Sequence, residues 1–214
     1  MIVFMSNYLK THSKILWVVI FSVFFMLMLR ITLKYIPFDS NIAFLNIKQT
    51  EVQSVSLYLT FFYIHVYSSI FTLFTGFTQF NETILKNNKR LHKAIGKLYF
   101  YTVIFLSAPS GLFIGIYANG GFYSKISFVL LAILWFWFTI QGLLKIKKNN
   151  YNQHKYFMMR SFALAFSAIT LRLWKVIIVY LFEPAPMDVY QIIAWLGWIP
   201  NLLIVEYYIY KAKR

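Results

Sequence analysis

The chain contains no cysteine. Disulfides, thiolate catalysis, cysteine-ligated iron–sulfur clusters and thioether-attached haem are therefore excluded. Acidic residues are nearly as scarce, with six Asp and Glu against 21 Lys and Arg. A carboxylate proton relay lacks members, because Glu206 alone falls inside an apolar stretch. It lies about one turn from the end of that stretch, within reach of Lys211 or Lys213. No His-Glu-x-x-His or other His/Asp/Glu cluster offers ligands for a zinc hydrolase. Serine-hydrolase patterns and glycine-rich phosphate loops are missing too. Charged residues make up only 13% of the chain, where a soluble domain carries about a quarter.

What is present is apolar and aromatic. Of 214 residues, 60% are hydrophobic and 21% aromatic. Six long apolar stretches account for most of the length: residues 15–36, 54–80, 92–118, 124–146, 155–182 and 189–210. A helix needs about 20 mostly apolar residues to cross a hydrocarbon core about 30 Å thick. Each stretch reaches that length, so the expectation is an all-α integral membrane bundle of six spans over residues 1–214, with no separate soluble domain. Lys10 and Lys14 ahead of Ile15–Leu29 resemble a signal peptide. Arg30-Ile31-Thr32-Leu33-Lys34 follows in place of a small-residue cleavage site, so a retained first span is expected.

The net charge of +15 does not point to nucleic acid, because the cations sit at the ends of the apolar stretches. With the N-terminus inside, the inner segments carry Lys10, Lys14, Lys86, Lys89, Arg90, Lys93, Lys97, Lys145, Lys147, Lys148, Lys155, Lys211, Lys213 and Arg214. The outer segments carry Arg30, Lys34, Lys48 and Lys125, together with four acids, Asp39, Glu51, Glu183 and Asp188. The asymmetry predicts that both termini lie inside. Trp17, Trp174 and tyrosines near the span ends fit interfacial anchors. The longest outer segment is 37–53. The turns Asn119-Gly120-Gly121 and Glu183-Pro184-Ala185-Pro186 are tight. No internal repeat marks an inverted-repeat transporter.

Three segments carry a resemblance: Leu91-His92-Lys93-Ala94-Ile95-Gly96-Lys97-Leu98-Tyr99, His154-Lys155-Tyr156-Phe157-Met158-Met159-Arg160-Ser161-Phe162 and Ala194-Trp195-Leu196-Gly197-Trp198-Ile199-Pro200-Asn201-Leu202. With Ala108-Pro109-Ser110-Gly111-Leu112 and Thr170-Leu171-Arg172-Leu173-Trp174, they recur in order with suitable spacing. Over about residues 55–210 the chain resembles a bacterial multi-pass family known as domain of unknown function 2306. The resemblance implies an integral protein of the bacterial cell membrane and no established activity.

Polar groups are costly in hydrocarbon, so those inside the spans are the candidates for function. In the second span His65, Ser69, Thr72, Gly76 and Gln79 follow helical spacing and form one stripe. That stripe is either a packing face or a ligand or proton site. In the third span His92, Gly96 and Tyr99 align, Gly111 and Gly115 make a small-xxx-small contact, and Pro109 predicts a kink. In the fifth span His154, Met158, Ser161, Ala165, Ala168 and Arg172 form a stripe, with Arg160 about 120° away. An intramembrane Arg must pair, reach water or snorkel. Arg172 and Lys175 are expected to snorkel outward or to pair with Glu183 or Asp188, Arg160 to snorkel inward, and on the functional reading Arg160 or Arg172 holds an anionic group such as a carboxylate or a haem propionate.

His92 and His154 fall at similar depth near the inner ends of their spans. Neutral imidazoles on facing helices are axial haem ligands, so one reading is a b-type haem held by His92 and His154, or by a pair using His65, with Arg160 or Lys97 near its propionates. Its partner would be a quinone or a membrane redox protein. A second reading is a small carrier or channel for an anionic or amphipathic solute, lined by Arg160, Arg172 and His65, with Gln79 and Ser161 on the path. A third is a non-enzymatic subunit or scaffold of a membrane complex. Membrane lipids are partners in all three.

Overall fold

A computed structural model describes residues 2–80 and 82–214, with side chains described at 15–16, 18–80, 84–85 and 87–214. The cations expected at Lys10, Lys14 and Lys86 and the anchor expected at Trp17 lie outside the described side chains. The described residues are helical throughout, without strands: α1 (Ile2–Leu33), α2 (Gln49–Ser54), α3 (Tyr58–Gln79), α4 (Glu82–Asn87), α5 (Lys89–Thr102), α6 (Ala108–Ile116), α7 (Gly121–Lys147), α8 (Tyr151–Ala165), α9 (Ser167–Phe182), α10 (Pro186–Leu196) and α11 (Ile199–Lys213).

Among the described residues four runs are long and apolar enough to cross a bilayer: Tyr58–Gln79, Lys89–Ile116, Gly121–Lys147 and Pro186–Lys213. Helices α8 and α9 together make a fifth, bent by 41° at their junction. In α1 the apolar helical part is shorter, Val18–Leu33. Large apolar side chains cover the outside: Val176 is 67% exposed, Ile204 68% and Phe122 71%. Such a surface is stable against lipid and not against water.

Three of the runs are interrupted, and each interruption has a local cause. Between α5 and α6 the residues Val103–Ser107 form a π turn, in which the Ala108 amide donates to the Val103 carbonyl. Pro109 follows directly. It has no N–H, and its ring would strike the preceding turn, so one widened turn absorbs it without ending the run. Between α10 and α11 the Trp198 amide bonds the Trp195 carbonyl and Pro200 follows, so the Ala194 and Leu196 carbonyls lose their regular partners. The break between α8 and α9 falls at Phe166.

The helices pack in a chain of neighbours: α1 on α3, α3 on α5 and α6, α6 on α7, α7 on α8, and α8 on α11, with α10 wedged between α7 and α9. Phe21 of α1 stacks flat on Phe77 of α3 with centroids 3.7 Å apart. Gly120 and Gly121 start α7 at φ 85° and 76°, a left-handed conformation that strains a residue with a Cβ.

The segment before α3 folds over one end of the helices, here termed the cap end. A 3₁₀ turn, Ala43–Ile47, buries Leu45 against Tyr35, Tyr58 and Phe62. Lys48 follows and is only 1% exposed. Its ammonium bonds Glu51 Oε1 at 2.6 Å and also donates to the Tyr117 carbonyl at the end of α6. A buried ammonium is stable only when paired, so this contact ties the cap to the helices. Glu51→Gln leaves the ammonium without its counter-charge and is expected to cost about 2 kcal/mol. Thermal unfolding in detergent should read a fall in Tm of about 4–8 °C, with Lys48→Met/Glu51→Gln recovering part of it.

Candidate functional site

The stripe on α3 points into the bundle along its whole length, and three polar groupings lie beside it. Nearest the cap end is His65. Its Nδ1 lies 3.0 Å from the Ser107 carbonyl in the π turn. A carbonyl only accepts, so the proton sits on Nδ1 and Nε2 faces Ser69 Oγ at 3.5 Å. Ser107 Oγ in turn donates to Ser68 Oγ at 2.8 Å. The ring packs closely on α6 because residue 111 is glycine: a Cβ there would come within 2.9 Å of His65 Cε1. The packing reading and the site reading of this stripe therefore meet in one place, where close helix approach positions the imidazole.

Deeper in, Ser161 of α8 is fully buried and joins three helices. Its hydroxyl is 2.7 Å from Tyr99 Oη of α5 and 2.7 Å from Thr139 Oγ1 of α7, and Trp135 Nε1 donates to Tyr99 Oη at 3.3 Å. All four groups are satisfied by one another. Ser161 therefore acts as a structural junction here, and its hydroxyl is taken.

At the end opposite the cap, His92 and His154 come within electrostatic reach of each other. His154 Nδ1 donates to the Gly142 carbonyl at 2.8 Å, which leaves its Nε2 open. His92 Nδ1 is buried and has no partner, and the same holds for Gln79 Nε2. The Gln79 amide rests on Gly96, one turn beyond His92, where a Cβ would lie 2.8 Å from Gln79 Oε1. A haem between these two histidines would need a slot along α5 and α8. The small positions that could open one are filled: Gln79 covers Gly96, Met158 covers Gly142, Phe162 packs into Gly76, and Ser161 is bonded on both sides. The side chains present do not fit a haem. Among the described residues no group of three or more His, Asp or Glu gathers to hold a metal ion.

The two arginines of the fifth run differ sharply. Arg160 does not snorkel. It forms a two-pronged pair with Glu206 of α11, through Nε to Oε1 and through Nη2 to Oε2 at 2.8 Å, and its guanidinium lies 5.2 Å from the Phe157 ring centre. Glu206 thus pairs with Arg160, in place of Lys211 or Lys213. Its charge and planar fork are spent on the helix contact. Arg172, on α9 in the cap half, has no ion pair among the described residues with Glu183, Asp188 or any other acid. Nη1 donates to the Ala168 carbonyl of its own helix at 2.6 Å. Its charge reaches His65 on α3, Tyr35 after α1 and Tyr190 on α10. Lys175, one turn on, sits over the Tyr190 ring at 5.9 Å. Arg172 is itself exposed, with groups of three other segments within its electrostatic reach.

Helical spacing did not reveal a fourth grouping. Asn201 Nδ2 donates to Thr170 Oγ1 at 2.9 Å and to the Ala163 and Gly197 carbonyls at 3.2 Å each. Ser127 Oγ of α7 donates to the Ala194 carbonyl at 2.7 Å and accepts from Trp198 Nε1 at 2.9 Å. These contacts take up the Ala163, Ala194 and Gly197 carbonyls at the two helix breaks. The available signal was the hydroxyl and small-residue face of α7, formed by Ser124, Ser127, Thr139 and Gly142, all buried.

A model of the family described as "Predicted membrane protein (DUF2306)" matches residues 62–209. No match was found among curated proteins or among solved structures.

The Arg160–Glu206 pair should behave as a structural unit. In a double-mutant cycle of Arg160→Gln and Glu206→Gln, followed by unfolding in detergent, a coupling of about 1–2 kcal/mol is expected. Ser161→Ala removes the hydroxyl that Tyr99 and Thr139 share, while Thr139 keeps the Trp135 carbonyl and Tyr99 keeps the Trp135 indole, and should cost about 1 kcal/mol in the same assay.

Proposed function

The chain belongs to the DUF2306 family of predicted membrane proteins, and on that premise we propose that it is a carrier for a small anionic or amphipathic solute. The membrane part is read as one bundle of six spans, with α1 as the first and both termini inside. In that orientation the cap and Arg172 lie on the outer side. One observation carries the reading: a guanidinium within a membrane bundle has no acidic partner among the described residues, while an imidazole and two phenols lie within its electrostatic reach. An unpaired cation at this depth is costly. A bound anion removes the cost, which gives this position a selective affinity for negative charge. The planar fork of Arg172 suits two oxygens of a carboxylate or similar group. His65 contributes a neutral imidazole whose proton is held on Nδ1 by the Ser107 carbonyl, and Tyr190 adds a hydroxyl and a flat apolar face.

Arg160 takes no part in solute binding on this reading, because Glu206 already neutralises it. Haem chemistry is likewise set aside, on the filled small-residue positions around His92 and His154.

Uptake of [14C]benzoate, an anion with one flat apolar face, into proteoliposomes provides the test. Arg172→Gln is expected to lower the rate at least about tenfold, equivalent to about 1.4 kcal/mol, with the protein still folded. Arg160→Gln should lower stability and leave the rate per folded molecule within about twofold. Uptake that is equal in the wild type, Arg172→Gln and empty vesicles would end the carrier reading for this anion.

A further inference from the structure

Buried polar atoms almost always have partners, and each exception calls for a cause. The described residues hold four such atoms, and two of them, His92 Nδ1 and Gln79 Nε2, belong to neighbouring helices at one seam. Gln79 ends α3 and lies on Gly96 of α5, while His92 occupies the same face of α5 one turn earlier. His154 of α8 lies within electrostatic reach of His92, with Nε2 uncommitted and its ring fixed by the Gly142 carbonyl.

We propose that His92 and Gln79, with His154 within electrostatic reach, form a second binding site for a carboxylate, at the end of α3 remote from Arg172. The Gln79 amide can only donate through Nε2, and His92 can donate through Nδ1, so the site presents N–H groups from two helices. Two oxygens on one carbon match two such donors. The surroundings favour negative charge: Lys89, Arg90 and Lys93 stand exposed on the first turns of α5 and Lys155 on α8, and no acid forms an ion pair with any of them among the described residues. Gln79 lies fourteen residues beyond His65 on α3, about 21 Å along the axis at about 1.5 Å per residue. The two sites are therefore separate, with the Ser161 junction between them. The choice of a carboxylate rests on the anion-carrier reading. The site itself rests on the orphaned atoms and stands without transport.

The test uses full-length protein in nanodiscs with 15N-labelled histidine side chains, titrated separately with decanoate and with acetate. The ring nitrogens of His92 and His154 are expected to shift in a saturable way, and Gln79→Leu and His92→Asn should each weaken the apparent affinity at least about tenfold. Saturation by decanoate alone assigns the site to acyl-chain acids, and saturation by both assigns it to small organic acids. The same titration on Arg172→Gln separates this proposal from the carrier reading: here the response of His92 should persist, whatever becomes of uptake. Absence of a saturable shift would overturn the proposal and leave the orphaned atoms to buried water. Shifts that survive unchanged in both variants, or that appear with inorganic phosphate and not with either carboxylate, would overturn it as well.

Discussion

In hydrocarbon every backbone carbonyl must find a donor inside the protein, and among the described residues three of the apolar runs are broken within their length. The whole arrangement depends on how those breaks are sealed. Asn201 and Thr170 bind the carbonyls at the α8/α9 and α10/α11 junctions together. Ser127 takes the Ala194 carbonyl that Trp198 can no longer reach, and the Trp198 indole returns to Ser127. His65 and Ser110 crowd the Ser107 carbonyl beside the π turn. A break sealed by side chains of neighbouring helices fixes those helices in depth and rotation relative to each other. The polar residues of the spans therefore serve first as backbone partners, and only the groups left over after that service are free for a ligand.

Charge follows the same economy. Arg160 and Lys48 are both held inside the fold, and each has a carboxylate of its own. Of the six acids in the chain, those two pairings use Glu206 and Glu51, and among the described residues no other acid pairs with Arg172. His92 and Gln79 are left over in a parallel sense: among the described residues His92 Nδ1 and Gln79 Nε2 find no partner.

Much of this was legible in the sequence. Length and apolarity marked the membrane runs. The stripe His65, Ser69, Thr72, Gly76 and Gln79 is buried or half-buried along α3. The stripe from His154 to Arg172 holds only as far as Ala165, because the 41° bend at Phe166 turns α9 away from a straight helical wheel. Pro109 signalled an irregularity but not its form, since a kink and a π turn answer the same missing N–H. The pairing of Arg160 with Glu206 was hidden because 46 residues separate them and nothing in either helix identifies the other as its neighbour. The buried role of Lys48 was hidden for the same reason, its acceptor being the carbonyl of Tyr117.

By itself the sequence determined that the chain is helical and belongs in a membrane, because hydrophobic length and the excess of Lys and Arg at the ends of the apolar runs act locally, residue by residue, on transfer from water to lipid. Which cations are neutralised, which hydroxyls are consumed in sealing helix breaks and which polar atoms remain open were decided only by tertiary structure. Those outcomes depend on which helix lies against which and at what rotation, and in lipid that choice is made by close packing and cross-helix hydrogen bonds between residues far apart in the chain.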